Sequence, residues 1–401
     1  MGTNAHAAHT LPNPGPVAIK AGTKSLFIGM SVIGIVLFAA ALKTDAPRAY
    51  ASFVMNHFFF MSLALGGAFI AAVTYLTGAM WSAPVRRIGE SFTAYLPFVL
   101  VTFAVLAIGI HHTYEWSHPE HVAGDLVLEH KSGYLNSKFF IIRNVIAILI
   151  WLGLVAKMIG NSLKQDQTKT ATETLANRKL SPLFIVLFAI TFTMAAFDQL
   201  MSLDPHWFST MFGVYCFAGL FYSTLALVAV VTVSLSKSGP LKGVINENHL
   251  HDLGKFMFAF TIFWMYIAFS QFMLIWYANL PEETMYFMHR MEGGWMAVTI
   301  FLLVGKFMVP FFALLPRDAK RSPSRLFKVG VFMLIAQWID MMWIVQPEFF
   351  KDGPRVSWIE IGTTIAFIGL FGTLVSRFMA KHNILAVGDP KLAEALFHHH
   401  Q

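Results

Sequence analysis

Ten apolar runs, each long enough to cross a hydrocarbon layer of about 30 Å, recur along this chain and leave little room for any other architecture. They read as Leu26 to Leu42, Ala51 to Leu76, Ser91 to His111, Lys138 to Ile159, Pro182 to Leu203, Thr210 to Leu235, Leu253 to Asn279, Glu292 to Leu315, Leu326 to Val345 and Trp358 to Phe378. A backbone in lipid has to satisfy its own N–H and C=O groups, so runs of this length and composition are helices. Hydrophobic residues make up 56% of the chain and charged ones only 13%, which excludes an ordinary water-soluble domain. The expected fold class is all-α integral membrane with ten transmembrane helices.

The net charge of +7 would suit nucleic acid, but the placement of the basic residues decides otherwise. Lys and Arg gather in the N-terminal tail, in every second connection and in the C-terminal tail, including Arg86, Arg87, Lys164, Lys169, Arg178, Lys179, Arg317, Lys320, Arg321 and Arg325. Positive-inside bias then puts both termini in the cytoplasm, in keeping with an even number of spans. The partner is lipid, and no nucleic-acid partner is expected. Residues 1–24, rich in Ala, Pro and His, read as a disordered tail, 25–380 as the membrane domain and 381–401 as a cytoplasmic tail. The stretch from Asn161 to Lys179 reads as a solvated loop. Cys216 is the only cysteine, so the chain cannot supply the ligands of an iron–sulfur cluster or of a covalent c-type haem, and no metal site is expected.

An internal echo divides the chain. "FDQLMSLDP" closes helix five and "IDMMWIVQP" closes helix nine, so Asp198 and Asp340 stand at the same spacing before Pro205 and Pro347. Helices three and seven end on matching turns, "HPE" from 118 and "LPE" from 280. The matched pairs are four helices apart, which predicts a parallel repeat, helices two to five and six to nine, flanked by helices one and ten.

Ionisable side chains within a span cost about 2.5 to 3.5 kcal/mol each on insertion scales and therefore face a bundle interior, a cavity or a partner. His57, His111, His112, Arg143, Asp198, Gln271, Asp340 and Glu360 are expected to form one polar layer near the outer face, whereas Lys306 stands alone in the inner half. Thr191, Thr193, Thr261 and Ser270 add hydroxyls there. Arg143 and Lys306 have the alternative of snorkelling to headgroups, but an aspartate is too short to reach far. Asp198 and Asp340 are thus the leading candidates, with a local Arg or Trp N–H as the plain structural explanation. Only His57 with His111 or His112 could face each other across a haem, and no helix carries the two spaced histidines that stacked haems need.

The stretches "FDQLMSLDPHWFSTMFGVYCFAGLF" from 197 and "ENHLHDLGKFMFAFTIFWMYIAFSQFMLIWYANLPEET" from 247 closely resemble the ActF-type membrane subunit of alternative complex III, a bacterial quinol:cytochrome c oxidoreductase related to the NrfD-like subunits of polysulfide reductases. The resemblance implies two four-helix bundles plus two flanking helices in the bacterial inner membrane. It further implies iron–sulfur and multihaem cytochrome subunits on the outer face, a sister NrfD-like membrane subunit, and menaquinone or ubiquinone as the mobile partner, with haem and iron–sulfur groups only in those partner subunits. Under it, Asp198, His57, His111 and Asp340 are candidates for proton transfer during quinol oxidation. Lys306, Thr191 and Gln271 are candidates for a proton path, and Arg143, Asp204, His206 and Trp207 for quinone or partner binding. A secondary transporter, which parallel repeats also build, and a purely structural anchor for outer redox subunits are the alternatives.

Overall fold

A computed structural model describes residues 12–396. Ten helices in it are long and apolar enough to cross a membrane: α1 Ala21–Thr44, α2 Ala46–Thr77, α3 Arg86–Ile108, α4 Ser137–Thr168, α5 Thr172–Leu203, α6 Phe212–Lys237, α7 Glu247–Ala278, α8 Trp295–Leu314, α9 Pro323–Glu348 and α10 Trp358–Lys381. No strand pairs with another among the described residues, and the chain is an all-α, multi-pass membrane protein by length and composition of its helices.

Helices α2, α3, α4 and α5 close a ring in which each touches the next and α5 returns to α2. Helices α6, α7, α8 and α9 close a second ring in the same order. Four helices separate equivalent members, so the two bundles share one orientation. They meet where α2 packs on α6 and α9 and where α5 packs on α6. The membrane-spanning parts of α2 and α6 are largely buried, whereas that of α1 is almost wholly exposed. Helix α1 lies along α10, and the pair flanks the bundles through α2.

Close approach at the centre rests on small residues. A Cβ on Gly67 of α2 would stand 2.2 Å from the carbonyl oxygen of Gly89 on α3, and one on Gly66 would stand 1.9 Å from Thr224 Oγ1 on α6. Gly34 and Gly369 let α1 and α10 approach in the same way, with Ala366 and Ser31 opposite them. Such small-residue seams are what drives helices together where lipid removes the hydrophobic force between them.

Several helices outrun the apolar segments. Helix α2 begins at Ala46 because Asp45 caps it, accepting from Arg48 N at 3.2 Å, with a proline in the first turn. The solvated loop expected from Asn161 to Lys179 is instead the tight joint of α4 and α5. Asn161 Nδ2 donates to Asn177 at 2.8 Å, Gln165 Nε2 donates to Thr174 at 2.6 Å, and Lys169 takes a left-handed conformation at φ 53°. Polar side chains extended both helices past the membrane by pairing with each other.

The chain ends also depart from expectation. Residues 1–11 of the tail expected at 1–24 lie outside the described residues, but Val17 N donates to Met379 O at 2.9 Å and Ile384 N to Gly15 O at 3.2 Å. In the segment expected as a tail from 381, Ile384, Leu385 and Leu392 are buried. Asp389 pairs with Arg86, and His249 Nε2 lies 2.9 Å from the Ala395 carbonyl. Both ends are therefore packed on one face of the helices, called the terminal face below.

The Gly67–Gly89 contact gives a direct test. Replacing Gly67 with Ala is expected to lower stability by about 1–3 kcal/mol, because backbone cannot yield as a side chain would. Gly153→Ala, where a Cβ meets nothing within 4 Å, is expected to be neutral or mildly stabilising. Thermal unfolding of the detergent-solubilised protein compares the two.

Candidate functional site

The polar residues of the opposite face do not form one layer. They separate into local arrangements, each neutralised by its own neighbours, and two of these occupy equivalent places in the repeat.

In the first bundle, Arg143 of α4 meets Asp198 of α5 through two hydrogen bonds, Nη2 to Oδ1 at 2.8 Å and Nε to Oδ2 at 3.1 Å. The adjacent Asn144 donates to Oδ2 at 3.1 Å and accepts from Gln199 Nε2 at 2.8 Å. Arg143 Nη1 donates to the Tyr134 carbonyl at 2.9 Å, and its guanidinium lies 3.7 Å from the Tyr134 ring centre and 4.2 Å from that of Phe139. Asp198 is 1% exposed. Each oxygen of its carboxylate is matched, in the planar fork geometry that arginine supplies. Arg143 does not snorkel.

In the second bundle, Lys306 of α8 meets Asp340 of α9, Nζ to Oδ2 at 2.6 Å, and neither is exposed. Tyr215 of α6 donates its hydroxyl to Oδ1, and Gln337 Nε2 approaches Oδ2 at 3.4 Å. The ammonium stands 3.8 Å from the centre of the Trp264 ring and 5.2 Å from that of Tyr222. Lys306 was expected to stand alone in the inner half, but local backbone geometry turns it to Asp340. Residues Leu302–Met308 form a π-helical turn, and Pro310 lacks the N–H that would bond the Lys306 carbonyl. Tyr222 donates to that carbonyl instead, at 3.1 Å. The equivalent helix α4 is unbroken through its span.

One cavity touches Asp340 itself, and a second reaches the pair only through Tyr215 and Trp264. The second, of about 430 Å³, opens between α6, α7 and α8 beneath the helix Pro281–Met291, with Tyr215, Trp264, Gln271, Phe272, Tyr286 and Trp343 in its wall. The first holds only about 10 Å³, near the size of one water, between Ser62 of α2, Cys216 and Ser223 of α6, and Gln337 and Asp340 of α9. The Ser62 hydroxyl and Gln337 Oε1 beside it are buried without a partner. Tyr215 lines both spaces. Asp198 lines neither.

The other candidates lie apart. His57 is fully buried on α2, with Nδ1 2.8 Å from Thr102 Oγ1, its ring beside Phe53 and Phe103, and Nε2 unpartnered. His111 is exposed on the rim, Nδ1 3.1 Å from Ser117 Oγ, in a row with His118 and His121. Thr191 accepts from Trp151 Nε1 at 2.8 Å inside the first bundle, remote in the repeat from Lys306 and Gln271 of the second. Glu360 is held by Arg48 at 2.7 Å. His206 lies 2.7 Å from Asp125, whose carboxyl is held below its ordinary value by that contact first and by the Leu128 N–H second. Asp204 lies near Lys131, whose ammonium burial pushes down against the pull of Asp204 and Asp125. Trp207 is buried and stacks on Tyr286 at 3.8 Å between ring centres. Burial raises the Tyr286 hydroxyl above its ordinary value, so it is a neutral donor at any physiological pH.

Arg290 fixes the helix that roofs the larger cavity. It is 1% exposed, donates to the carbonyls of Trp343 at 3.1 Å and Ile344 at 2.8 Å, and pairs with Glu348 at 2.9 Å. Arg290, Tyr215, Trp264 and Tyr286 were not singled out from the sequence. Pro310, four residues after Lys306, was the available signal for the irregular turn in α8. No group of His, Cys, Asp and Glu suited to a metal ion occurs among the described residues.

The chain matches no protein-family model and no curated protein.

Removing one partner of the first pair leaves an uncompensated buried charge. Asp198→Ala is expected to cost about 3–5 kcal/mol, while Arg143→Met combined with Asp198→Leu recovers most of that loss. A double-mutant cycle in thermal or denaturant unfolding measures both.

Proposed function

We propose that this chain is a membrane subunit, without a redox metal of its own, of a respiratory quinol:electron-acceptor oxidoreductase of the alternative complex III type. In this reading it lies in the bacterial inner membrane with the terminal face in the cytoplasm. Iron–sulfur and multihaem cytochrome subunits on the outer face and a sister NrfD-like subunit carry the electrons. This chain handles protons, and quinone, at the second bundle. The Lys306–Asp340–Tyr215 cluster, set between an apolar cavity and a water-sized polar void, is the observation that carries it. Identity with the complex rests on the resemblance of residues 197–221 and 247–284.

The chemistry follows from charge balance. Quinol oxidation releases two protons with two electrons, and a group near the reacting oxygen has to accept them. A proton reaching Asp340 through the Tyr215 hydroxyl leaves Lys306 as an unpaired buried cation, a state that costs several kcal/mol. Lysine relieves that state by giving up a proton, and the cluster then relays protons instead of storing them. Arginine in the equivalent place has no such option, because its guanidinium stays charged. Asp198 and Asp340, the leading candidates from sequence, thus divide, with Asp340 and Lys306 as the exchanging pair and Asp198 and Arg143 as a fixed clamp.

The first bundle on its own favours a purely structural role, since Asp198 is saturated by Arg143 and Asn144. A transporter is disfavoured, because the π-helical turn of α8 has no counterpart in α4 and neither helix is interrupted at midspan.

In the assembled complex, Asp340→Asn and Lys306→Met are each expected to slow quinol-dependent electron transfer by about a hundredfold, the range of a lost proton-transfer group. Asp198→Asn is expected to stay within about threefold. Stopped-flow turnover with a pH-indicating dye reads both rate and protons released. An assembled Asp340→Asn complex with full turnover and unchanged proton stoichiometry would remove the role given to the pair.

A further inference from the structure

A cavity of about 610 Å³, larger than either described above, has none of the four residues of the two buried pairs in its wall. It is a cleft between α9 and α10. These consecutive helices do not pack along each other, although α5 and α6, joined by the equivalent connection of the first bundle, do. Helix α10 packs instead on α1 and α2. In the half nearer the terminal face the walls are Phe27 of α1, Phe92 of α3, Leu227 and Val231 of α6, Leu334 of α9 and Val375 of α10. At mid-depth the Trp338 indole crosses the cleft and donates to Thr364 Oγ1 at 3.2 Å. Ile335 and Ile368 on the two rims are 52% and 38% exposed, so the cleft opens sideways, toward lipid.

Charge at the terminal end of this cleft has one sign. No Asp or Glu occurs in residues 1–44, 319–339 or 361–388, the stretches that carry α1 and the adjoining parts of α9 and α10. Lys20, Lys24 and Lys328 are exposed there. Lys24 stands one turn before Phe27, and Lys328 stands two turns before Ile335 on the same side of α9. Lys20 closely follows Val17, whose N–H bonds the carbonyl of the cavity residue Met379 at 2.9 Å. Other carboxylates of that face are taken by other bases, Asp389 by Arg86, Glu90 by Arg87 and Glu173 by Lys164.

We infer that this cleft holds an anionic phospholipid of the leaflet at the terminal face, with an acyl chain between α9 and α10 and the phosphate among Lys20, Lys24 and Lys328. An empty cleft forfeits the dispersion contacts of its lining, and a chain already in the bilayer restores them. Trp338 Nε1 and Thr364 satisfy each other, so the walls require only an apolar ligand of suitable shape. The lysines supply the preference among lipids, because each attracts a net negative headgroup and gains little from a zwitterionic one. The site stands independently of the function proposed above, and its test measures binding without turnover.

The test uses the protein purified in its native assembly, in nanodiscs of phosphatidylcholine with a trace of phosphatidylglycerol that carries a photoreactive diazirine on one acyl chain. Label is expected within residues 331–338 and 361–379, displaced by unlabelled phosphatidylglycerol and not by phosphatidylethanolamine. Lys20→Gln, Lys24→Gln and Lys328→Gln combined should lower that label on the order of tenfold. Ile365→Trp, which fills the cleft from its wall, should abolish it. Melting temperatures in phosphatidylcholine alone should match the wild type for both variants. Native mass spectrometry of the wild type needs no variant and should show phosphatidylglycerol retained after detergent extraction. Label spread evenly over lipid-facing helices, cleft label unchanged without the three lysines, or no retained acidic lipid would each overturn the inference. So would a density map with a partner helix or a quinone tail seated between α9 and α10.

Discussion

A charge held in an apolar slab has to be matched where it stands, and this protein meets that requirement twice with the same pair of helices. Helices α4 and α5 bring Arg143 to Asp198, and α8 and α9 bring Lys306 to Asp340. The repeat fixes where the pairs are, but the choice of cation fixes what each can do. Arginine gives a planar, permanently charged fork that fills both carboxylate oxygens, and the aromatic rings of Tyr134 and Phe139 cover it. Lysine gives one compact contact, leaving the second oxygen of Asp340 to the Tyr215 hydroxyl. One fold thus holds a rigid clamp and an adaptable pair.

The surroundings differ in the same direction. The Arg143–Asp198 pair is enclosed by Asn144, Gln199 and Tyr134 in the turn that precedes α4. The Lys306–Asp340 pair sits beside the π-helical turn and Pro310 of α8, with a water-sized void against Asp340 and a larger cavity beyond Tyr215 and Trp264. Irregular backbone at membrane depth is tolerated where protein satisfies the freed groups, as Tyr222 does for the Lys306 carbonyl. On the terminal face, Asp389 and Arg86 tie the end of the chain to the first bundle beside the buried Arg87–Glu90 pair at 3.0 Å. The opposite end has ion pairs of its own, Arg48–Glu360 and Arg290–Glu348, set among aromatic rings such as Tyr286 and Trp343.

Much of the architecture was legible in the sequence because lipid imposes a strong rule: helix number and the shared orientation of the halves follow from apolar length and from the two Asp–Pro echoes, whereas the packing of α1 along α10 was not foreseen. The ends of α4 and α5 were not legible, since hydrophobicity says nothing of the side-chain pairs, such as Asn161 with Asn177, that carry a helix beyond the membrane. Asp198 and Asp340 were singled out as costly in lipid, with a local Arg or Trp N–H as the plain explanation, but the sequence did not name Arg143 or Lys306 as their partners. Their difference was hidden because it depends on contacts between distant residues, Tyr215 with Asp340 and Asn144 with Asp198. The single outer layer inferred from depth alone dissolved for the same reason. Depth along a helix is a sequence quantity, whereas the direction a side chain faces around it depends on packing.

The most direct measurement is infrared difference spectroscopy of the assembled complex on quinol addition, with aspartate carboxyls isotopically labelled. The expected result is a change in a protonated-carboxyl band that shifts with the label, disappears in Asp340→Asn and persists in Asp198→Asn. A spectrum without any aspartate carboxyl change, or one whose band is lost in Asp198→Asn alone, would contradict the assignment of proton exchange to the lysine-paired bundle.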